Sequence, residues 1–258
     1  MSEEATEPVA EKSPQKSFLE RVIPMLLVLT VGLAFAVVIL WQKVAGLEKG
    51  TASKIAGQAT QAPQDVSGKL TKENAEKIPA IGDKDHLFGS KDAQVKLIVY
   101  TDLECPFCKT FHATAKQAID EYQGKVAMVF RNFPLDAIHS NARAEAEAAE
   151  CVAKLGGEEA FQKYIDKIFA VTPSNNGLDQ TLLPTLASQL EIKLAEFNSC
   201  VSSGDTKNIV DEQAKGGEAA GVTGTPGVFV INQKGDAWLV PGAVPLANLK
   251  QTIDEALK

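Results

Sequence analysis

Two cysteines separated by two residues, Cys105 and Cys108, lie between a segment with strand character and a segment with helix character. The preceding run 95–100 (VKLIVY) is short and rich in β-branched residues, which predicts a strand. Apolar residues recur at helical spacing over 111–122, which predicts a helix that begins after the first cysteine. A second strand is predicted at 126–130 (VAMVF), and this strand–helix–strand order implies that the two strands are parallel.

The position of the first cysteine suits it to thiol chemistry. The N–H groups in the first turn of a helix have no partner within the helix, so a sulfur placed there meets partial positive charge and ionises more easily. The thiolate is the nucleophile in thiol exchange, and Cys108, one turn further into the helix, can attack a mixed disulfide formed on Cys105. Pro106 fits the first turn, where its missing N–H is not needed. The sequence therefore predicts a redox-active cysteine pair.

A zinc knuckle and a purely structural pair are the competing interpretations of this motif. Zinc sites built on cysteine usually combine two such pairs, or one pair with two closely spaced histidines. The chain has no second C-x-x-C, and its three histidines, His86, His112 and His139, show no ligand spacing, although His112 falls one turn beyond Cys108. Redox chemistry is the favoured interpretation, and no motif requires a metal, a nucleotide or a flavin.

The rest of the C-terminal part divides into a helical block and a strand-rich end. Helices are predicted at 140–155, 158–170, 181–200 and 206–219. Strands are predicted at 227–231 and 237–240 with a turn between them, followed by an amphipathic helix at 245–257. This order predicts an α/β core that carries a helical insertion at about 138–220.

The motif ECPFCK after a strand, together with TGTPGVFV before the returning strands, resembles the thioredoxin superfamily and, more closely, its DsbA-like thiol:disulfide oxidoreductases. The resemblance covers roughly 85–258 and implies a thioredoxin fold with an inserted helical domain. It also implies that the peptide bond before Pro226 is cis, that this loop packs against the active-site sulfurs, and that the Thr225 backbone pairs with an extended substrate. A trans proline that begins a strand is the alternative.

The dipeptide between the cysteines departs from the best-known members of this family. Pro106-Phe107 stands where strongly oxidising DsbA has Pro-His and protein disulfide isomerase has Gly-His. Phe107 can neither donate a hydrogen bond nor add positive charge beside the thiolate, whereas proline at the first position suggests an oxidant. Pro106, Phe107 and the Pro226 loop would form an apolar contact surface for unfolded chains. Asp102 and Glu104 precede the motif as either proton acceptors or charges at the helix start.

Two further cysteines, Cys151 and Cys200, fall in the predicted helical block. Two buried thiols are one interpretation, because cysteine packs as a small apolar residue. In an oxidising compartment a separated pair more often forms a bridge, and the DsbA-like resemblance implies a structural disulfide here. Such a disulfide would place the domain outside the cytoplasm.

The N-terminal part of the chain contains an apolar segment, 22–41, of twenty residues without a charge. This is the length that crosses the hydrocarbon core of a bilayer as a helix, which predicts a retained transmembrane anchor after a short tail, 1–21. A cleaved signal peptide, with 34–36 (AFA) as its small-x-small site, is the alternative. Basic residues flank the segment equally, so charge does not set its orientation. Residues 42–84 are polar and rich in small residues, which predicts a flexible tether before the folded domain.

The composition and the resemblance together define the expected function. A net charge of −7 argues against nucleic-acid binding, which needs a basic face. The apolar segment 22–41 and the resemblance together imply a membrane-tethered, extracytoplasmic enzyme, periplasmic or at the cell surface. It would introduce disulfides into unfolded secreted proteins without a cofactor beyond Cys105 and Cys108. Reoxidation would need a membrane protein of the DsbB or vitamin K epoxide reductase type. A disulfide isomerase or reductase with the same site, and a non-catalytic anchored chaperone or metal carrier, are the alternatives.

Overall fold

The computed structural model describes residues 68–258, so the predicted tail, the predicted transmembrane helix and the first part of the predicted tether lie outside the described residues. The described strands are β1 (Gly68–Lys69), β2 (His86–Gly89), β3 (Val95–Thr101), β4 (Val126–Asn132), β5 (Gly227–Asn232) and β6 (Ala237–Val240). The described helices are α1 (Lys72–Ala75), α2 (Pro106–Glu121), α3 (Ala142–Val171), α4 (Leu182–Ser188), α5 (Leu194–Ser203), α6 (Lys207–Ala219) and α7 (Leu246–Ala256). Within this range no helix combines the length and the apolar character that crossing a bilayer requires.

A six-stranded sheet in the order β1-β6-β5-β3-β4-β2 forms the centre of the described chain. Strand β3 is parallel to β4 and antiparallel to β5, so the predicted strand–helix–strand unit with parallel strands is confirmed. Strands β5 and β6 form the predicted hairpin. The two edge strands, β1 and β2, are absent from the sequence prediction, because β1 has only 2 residues and β2 (HLFG) has no β-branched residue and ends in glycine.

The central strand β3 divides the core between the two faces of the sheet. Val95, Leu97 and Val99 pack on one face with residues of α2, α3 and α7. Ile98 and Tyr100 pack on the other face with residues of α6 and of the segment before β2. Because side chains alternate along a strand, a strand covered on both faces is apolar throughout. This burial fixes the end of β3, from which the cysteine motif follows.

The folded unit begins upstream of the predicted start near residue 85. Strand β1 pairs with β6, and the carbonyl groups of Pro79 and Ala80 accept hydrogen bonds from the guanidinium of Arg131 at 3.0 and 3.1 Å. Arg131 is buried and also forms an ion pair with Asp85. The predicted tether, 42–84, is therefore too long at its C-terminal end. A buried arginine orders this polar segment, which has no apolar periodicity of its own.

Within the described range, four helices, α3 to α6, lie between β4 and β5 and form the predicted insertion. Helix α3 is interrupted at Gly157, whose left-handed φ of 76° matches the predicted break between two helices. The single helix predicted at 181–200 is instead two helices, α4 and α5, with a left-handed Glu191 between them. Cys151 in α3 and Cys200 in α5 form a disulfide, which is the pairing that the resemblance implies.

Candidate active site

Cys105 lies where the chain leaves β3 and enters α2. It caps the N-terminus of this helix with extended backbone angles (φ −80°, ψ 120°), and Pro106 follows in the first turn. The fold thus places the sulfur at the helix end where backbone N–H groups lack partners. The Cys105 thiol donates a hydrogen bond to the carbonyl of Thr225 at 3.4 Å, and the peptide bond between Thr225 and Pro226 is cis. The structure therefore brings the predicted cysteine motif and the predicted proline loop into contact.

The two thiols of the motif have opposite acid–base environments. The pKa of Cys105 is lowered to about 6, chiefly because the Cys108 thiol donates a hydrogen bond to it. The Thr225 side chain and the backbone N–H groups of Cys108 and Phe107 lower this pKa further, while burial opposes them. Burial raises the pKa of Cys108 well above its usual value. At neutral pH Cys105 is therefore mostly a thiolate and Cys108 a thiol, which distinguishes the nucleophile from the resolving group.

Exposed apolar side chains lie around the cysteine motif. Phe107, between the two cysteines, is 64% exposed, and Ile138, at the start of the insertion, is 63% exposed. The carbonyl of Ile138 accepts a hydrogen bond from the Asn176 side chain, and the neighbouring N–H of Asn175 donates to the carbonyl of Glu104. These bonds hold the beginning of the insertion next to the residues that precede the motif. The beginning of the insertion, which carries the exposed Ile138, is therefore linked through Asn175 and Asn176 to the chain before the motif.

The loop before the cis bond borders an open groove. Pro226 is buried and Thr225 half-buried, whereas Thr223 and Gly224 are exposed. The groove has a volume of about 600 Å³ and is lined by this loop, by the end of β6 and by the segment from β1 to α1. Backbone groups of the loop are thus accessible to an extended chain, as the resemblance implies.

Asp102 and Glu104 are both buried, and neither is a charge at the helix start, since α2 has no acidic residue in its first turn. The Asp102 carboxylate accepts hydrogen bonds from the backbone N–H groups of Glu104 and Leu135 and is hydrogen-bonded to Nδ1 of His139 at 2.9 Å. The backbone N–H of Asp102 lies 3.5 Å from Sγ of Cys108, to which it donates. Asp102 therefore organises the loop that leads into the motif.

The histidines that a metal site would use are engaged with carboxylates. His112 is hydrogen-bonded to Asp166 at 2.7 Å, and His86 lies between Glu150 and Glu158 at 3.1 and 2.9 Å. Within residues 68–258, no group of three or more His, Cys, Asp or Glu side chains is arranged to hold a metal ion.

Glu145 is a residue of this region that the sequence interpretation passes over. It lies in the first half of α3, fully buried, and its carboxyl group accepts a hydrogen bond from the side chain of Gln180. Ala142 and Ala149 are buried on the same helix face, at spacings of three and four residues from it. An acidic residue within the apolar face of a helix is the sequence signal that could have identified Glu145 as buried.

Comparison with known sequences gives the relatives of this chain. The sequence model of a family described as Thioredoxin matches residues 82–255. A Na(+)/H(+) antiporter, NhaA 3 of Salinispora tropica, is 28% identical over 157 residues, which are 61% of this chain and 23% of the antiporter. The chain therefore spans about a quarter of the length of this relative.

Two further relatives carry names that refer to disulfide chemistry. The probable disulfide bond formation protein D of Bacillus cereus is 26% identical over 177 residues, which are 66% of this chain and 77% of the relative. The crystal structure of Pseudomonas aeruginosa DsbA2 superimposes with a TM-score of 0.58 and 26% identity, covering 68% of this chain and 96% of that one. These similarities confirm the resemblance to DsbA-like thiol:disulfide oxidoreductases that the motifs indicate.

Proposed function

The chain belongs to the thioredoxin family whose model matches it over residues 82–255, and from this membership we propose that it is a thiol:disulfide oxidoreductase acting through Cys105 and Cys108. The observation that supports the proposal most strongly is the difference between the two sulfurs. A pKa of about 6 makes Cys105 a thiolate and a good leaving group at neutral pH. The raised pKa of Cys108 makes it a thiol that takes up a proton readily.

The proposed reaction oxidises two substrate thiols. A substrate thiolate attacks Sγ of Cys105 in the oxidised enzyme, the Cys105–Cys108 bond breaks, and Cys108 leaves with the electron pair and takes a proton. A second substrate thiolate then attacks the substrate sulfur of the mixed disulfide, and Cys105 leaves as a thiolate. The substrate gains a disulfide, and the enzyme ends with two reduced cysteines. Since a low thiol pKa stabilises the reduced enzyme, electron flow from substrate to enzyme is favoured.

Unfolded secreted proteins are the proposed substrates. The exposed ring of Phe107 and the neighbouring Pro106 offer apolar contact, and the backbone of Thr225 beside the cis Pro226 can pair with an extended chain. Because the chemistry consumes the oxidised form, a membrane protein of the DsbB or vitamin K epoxide reductase type is proposed to restore it.

The proposed location is outside the cytoplasm, with the domain tethered to the membrane by the apolar segment 22–41. The disulfide between Cys151 and Cys200 supports this location, because structural disulfides persist in oxidising compartments. The sequence of 22–41, apolar and without a charge, supports the anchor.

The test measures disulfide transfer and the direction of electron flow with the full-length protein. We expect the oxidised protein to form disulfides in a reduced, unfolded substrate, and the Cys108→Ser variant to accumulate a mixed disulfide through Cys105. The reduction potential of the Cys105–Cys108 pair is expected to be less negative than about −200 mV. A potential near that of thioredoxin, about −270 mV, would instead assign the protein as a reductase. If no mixed disulfide forms, the site is a binding site and not a catalytic one.

A further inference from the structure

Two buried carboxyl groups meet beside the cysteine motif. Glu104, the residue before Cys105, and Glu145 of α3 are both fully buried, and their carboxyl groups lie on the same stretch of chain, since Glu104 accepts from the N–H of Leu178 and Glu145 from the side chain of Gln180. Oε1 of Glu145 accepts a hydrogen bond from Nε2 of Gln180 at 2.7 Å. Oε2 of Glu145 is buried and has no hydrogen-bond partner among the residues that the structure describes. An orphaned oxygen in a buried carboxyl pair indicates a proton that the two groups share.

The surroundings assign this proton to Glu145. Two ionised carboxylates buried near each other repel, so burial together favours a proton on one of the pair. Glu104 accepts hydrogen bonds from the backbone N–H groups of Gly177 and Leu178 at 3.2 and 3.4 Å, whereas Oε2 of Glu145 accepts none among the described residues. Burial, the side chain of Glu104, and then the negative charges of Glu104 and Asp102 raise the pKa of Glu145 to about 9.

The charged and titratable neighbours of Glu145 give no compensating cation. The charges that act on it come from Glu104 and Asp102, both acidic, and Asp102 is already hydrogen-bonded to His139. Tyr164, in the second half of the same helix, stays neutral, because burial and the nearby Glu145 raise its pKa. The Tyr164 hydroxyl donates its hydrogen bond to the carbonyl of Leu183 at 3.0 Å, so it does not donate to Glu145.

The carboxyl pair holds an unusual stretch of backbone, 172–178, against the motif. Ser174, Asn175 and Asn176 have consecutive left-handed φ angles of 66°, 54° and 63°, a conformation that residues other than glycine seldom adopt. The carbonyl of Glu104 accepts a hydrogen bond from the N–H of Asn175 at 2.8 Å, and its carboxylate accepts from two further N–H groups of the segment. The side chain and backbone of Glu104 thus fix this segment, and α3 meets Glu104 through Glu145.

We propose that Glu145 is a positioning residue that stays protonated at neutral pH and donates its proton to Glu104, so that the pair fixes the backbone that carries Cys105. Glu104 immediately precedes the sulfur, so a shift of Glu104 moves the thiolate away from the N–H groups that stabilise it. The positioning role rests on the proposed function. The protonation of Glu145 does not, and it is tested separately.

The proton on Glu145 has a consequence for stability. Its pKa in the folded protein, about 9, is higher than the ordinary value of 4.5, so the folded state binds the proton more tightly than the unfolded chain does. This contribution to stability is complete below about pH 4.5 and is lost as pH rises toward 9. In Glu145→Gln a neutral donor replaces the acid and does not titrate. The ratio of the folding equilibrium constants, variant over wild type, should therefore rise up to about tenfold per pH unit between pH 5 and 8.

The protonation is tested by urea unfolding and infrared spectroscopy of the oxidised full-length protein, in which Cys105 does not titrate. The wild type is expected to show the carbonyl stretch of a protonated carboxylic acid at pH 7, and E145Q is expected to lack it. The control is Glu159→Gln, which changes an exposed residue of the same helix that is paired with Lys163. This variant should keep the infrared band, and its ratio of folding equilibrium constants to the wild type should not change with pH. A ratio that does not change with pH for E145Q, or a wild type without the band, overturns the protonation.

The positioning role is tested by exchange kinetics and by the pKa of Cys105. E145Q is expected to keep the exchange rate within about twofold and to leave the pKa of Cys105 unchanged. Glu145→Leu, which cannot donate a hydrogen bond, should slow exchange on the order of tenfold to a hundredfold and raise the pKa of Cys105. Glu104→Gln, which keeps the side-chain shape, should do the same and serves if the leucine variant does not fold. Wild-type exchange in these variants overturns the positioning role. If the wild type itself performs no exchange, the proposed function fails, while the infrared and unfolding results still decide the protonation.

Discussion

The two cysteine pairs of this chain have the same atoms and different chemistry. Cys105 and Cys108 are thiols at the start of α2, whereas Cys151 and Cys200, 49 residues apart in sequence, are bonded within the insertion. Burial does not separate the pairs, because all four residues are at most 7% exposed. What differs is the position relative to a helix start. Cys151 and Cys200 lie inside α3 and α5, where the backbone N–H groups are already used.

The pair at the junction of β3 and α2 is therefore the reactive one, and the pair in the insertion stabilises the fold. The cis loop at Thr225 contacts only the first pair, through the thiol of Cys105. A lowered thiol pKa needs donors aimed at the sulfur, and the first turn of α2 provides them. The pair in the insertion is buried but lacks the N–H donors of a helix start, so it is expected to resist exchange.

The largest effect is expected when each pair is removed and exchange is measured. Cys105→Ser should lower the rate of disulfide transfer to a reduced substrate protein by at least on the order of 10³-fold, because the sulfur that the substrate thiolate attacks is lost. The double variant Cys151→Ala/Cys200→Ala should retain the rate within about twofold at a temperature where it is folded. If both variants lost the same fraction of the transfer rate, the two pairs would not differ in their role in exchange.

The complementary effect is on the free energy of unfolding. In the chain-entropy model, removing a disulfide that closes a loop of this length costs about 4 kcal/mol. We expect a loss of this order for Cys151→Ala/Cys200→Ala in urea unfolding under oxidising conditions. Cys105→Ser/Cys108→Ser is the control. It removes a disulfide that closes a much shorter loop, so it should lower the free energy of unfolding by less. A double alanine variant as stable as the wild type would show that the insertion does not depend on its disulfide.

Much of this comparison follows from the sequence, because local spacing determines it. The interval between Cys105 and Cys108, a strand before them and a helical pattern after them predict the reactive sulfur and the helix that activates it. The family resemblance supplies what spacing does not, namely the cis bond at Pro226 and the pairing of Cys151 with Cys200. Both features appear in the structure.

Other features depend on tertiary contacts that no local pattern records. Glu104 and Glu145 are separated by 41 residues, and only the folded chain shows that two acids share one buried site. The break between α4 and α5 falls at Glu191, without the glycine or proline that normally marks such a break. Strand β1 forms because β6 offers it an edge and not because its own sequence is strand-like.

An intermediate effect is expected in the pH dependence of alkylation. In the reduced protein, iodoacetamide should modify one residue per chain below pH 8, Cys105, with half of the maximal rate at about pH 6. At pH 7 the thiolate fraction is then about 30-fold greater than that of a thiol with a pKa near 8.5. Cys108→Ala removes the largest cause of the lowered pKa, so its half-maximal pH should move upward. A half-maximal rate near pH 8.5 in the wild type would make Cys105 an ordinary thiol.

The smallest effect is expected from the apolar surface next to the reactive pair. Replacing Phe107 by Ser removes an exposed ring beside the sulfurs, so an unfolded substrate should lose about 1 kcal/mol of contact, seen as about a fivefold higher KM with little change in kcat. Leu194→Ser changes a comparably exposed apolar residue, 49% exposed, at the start of α5 in the insertion and is the matched control. Its KM should equal that of the wild type. If both variants raise KM equally, substrates contact the insertion as well as the motif, and reactivity and substrate binding are not confined to one region. A small dithiol substrate, too short to reach the ring, should show no change with either variant.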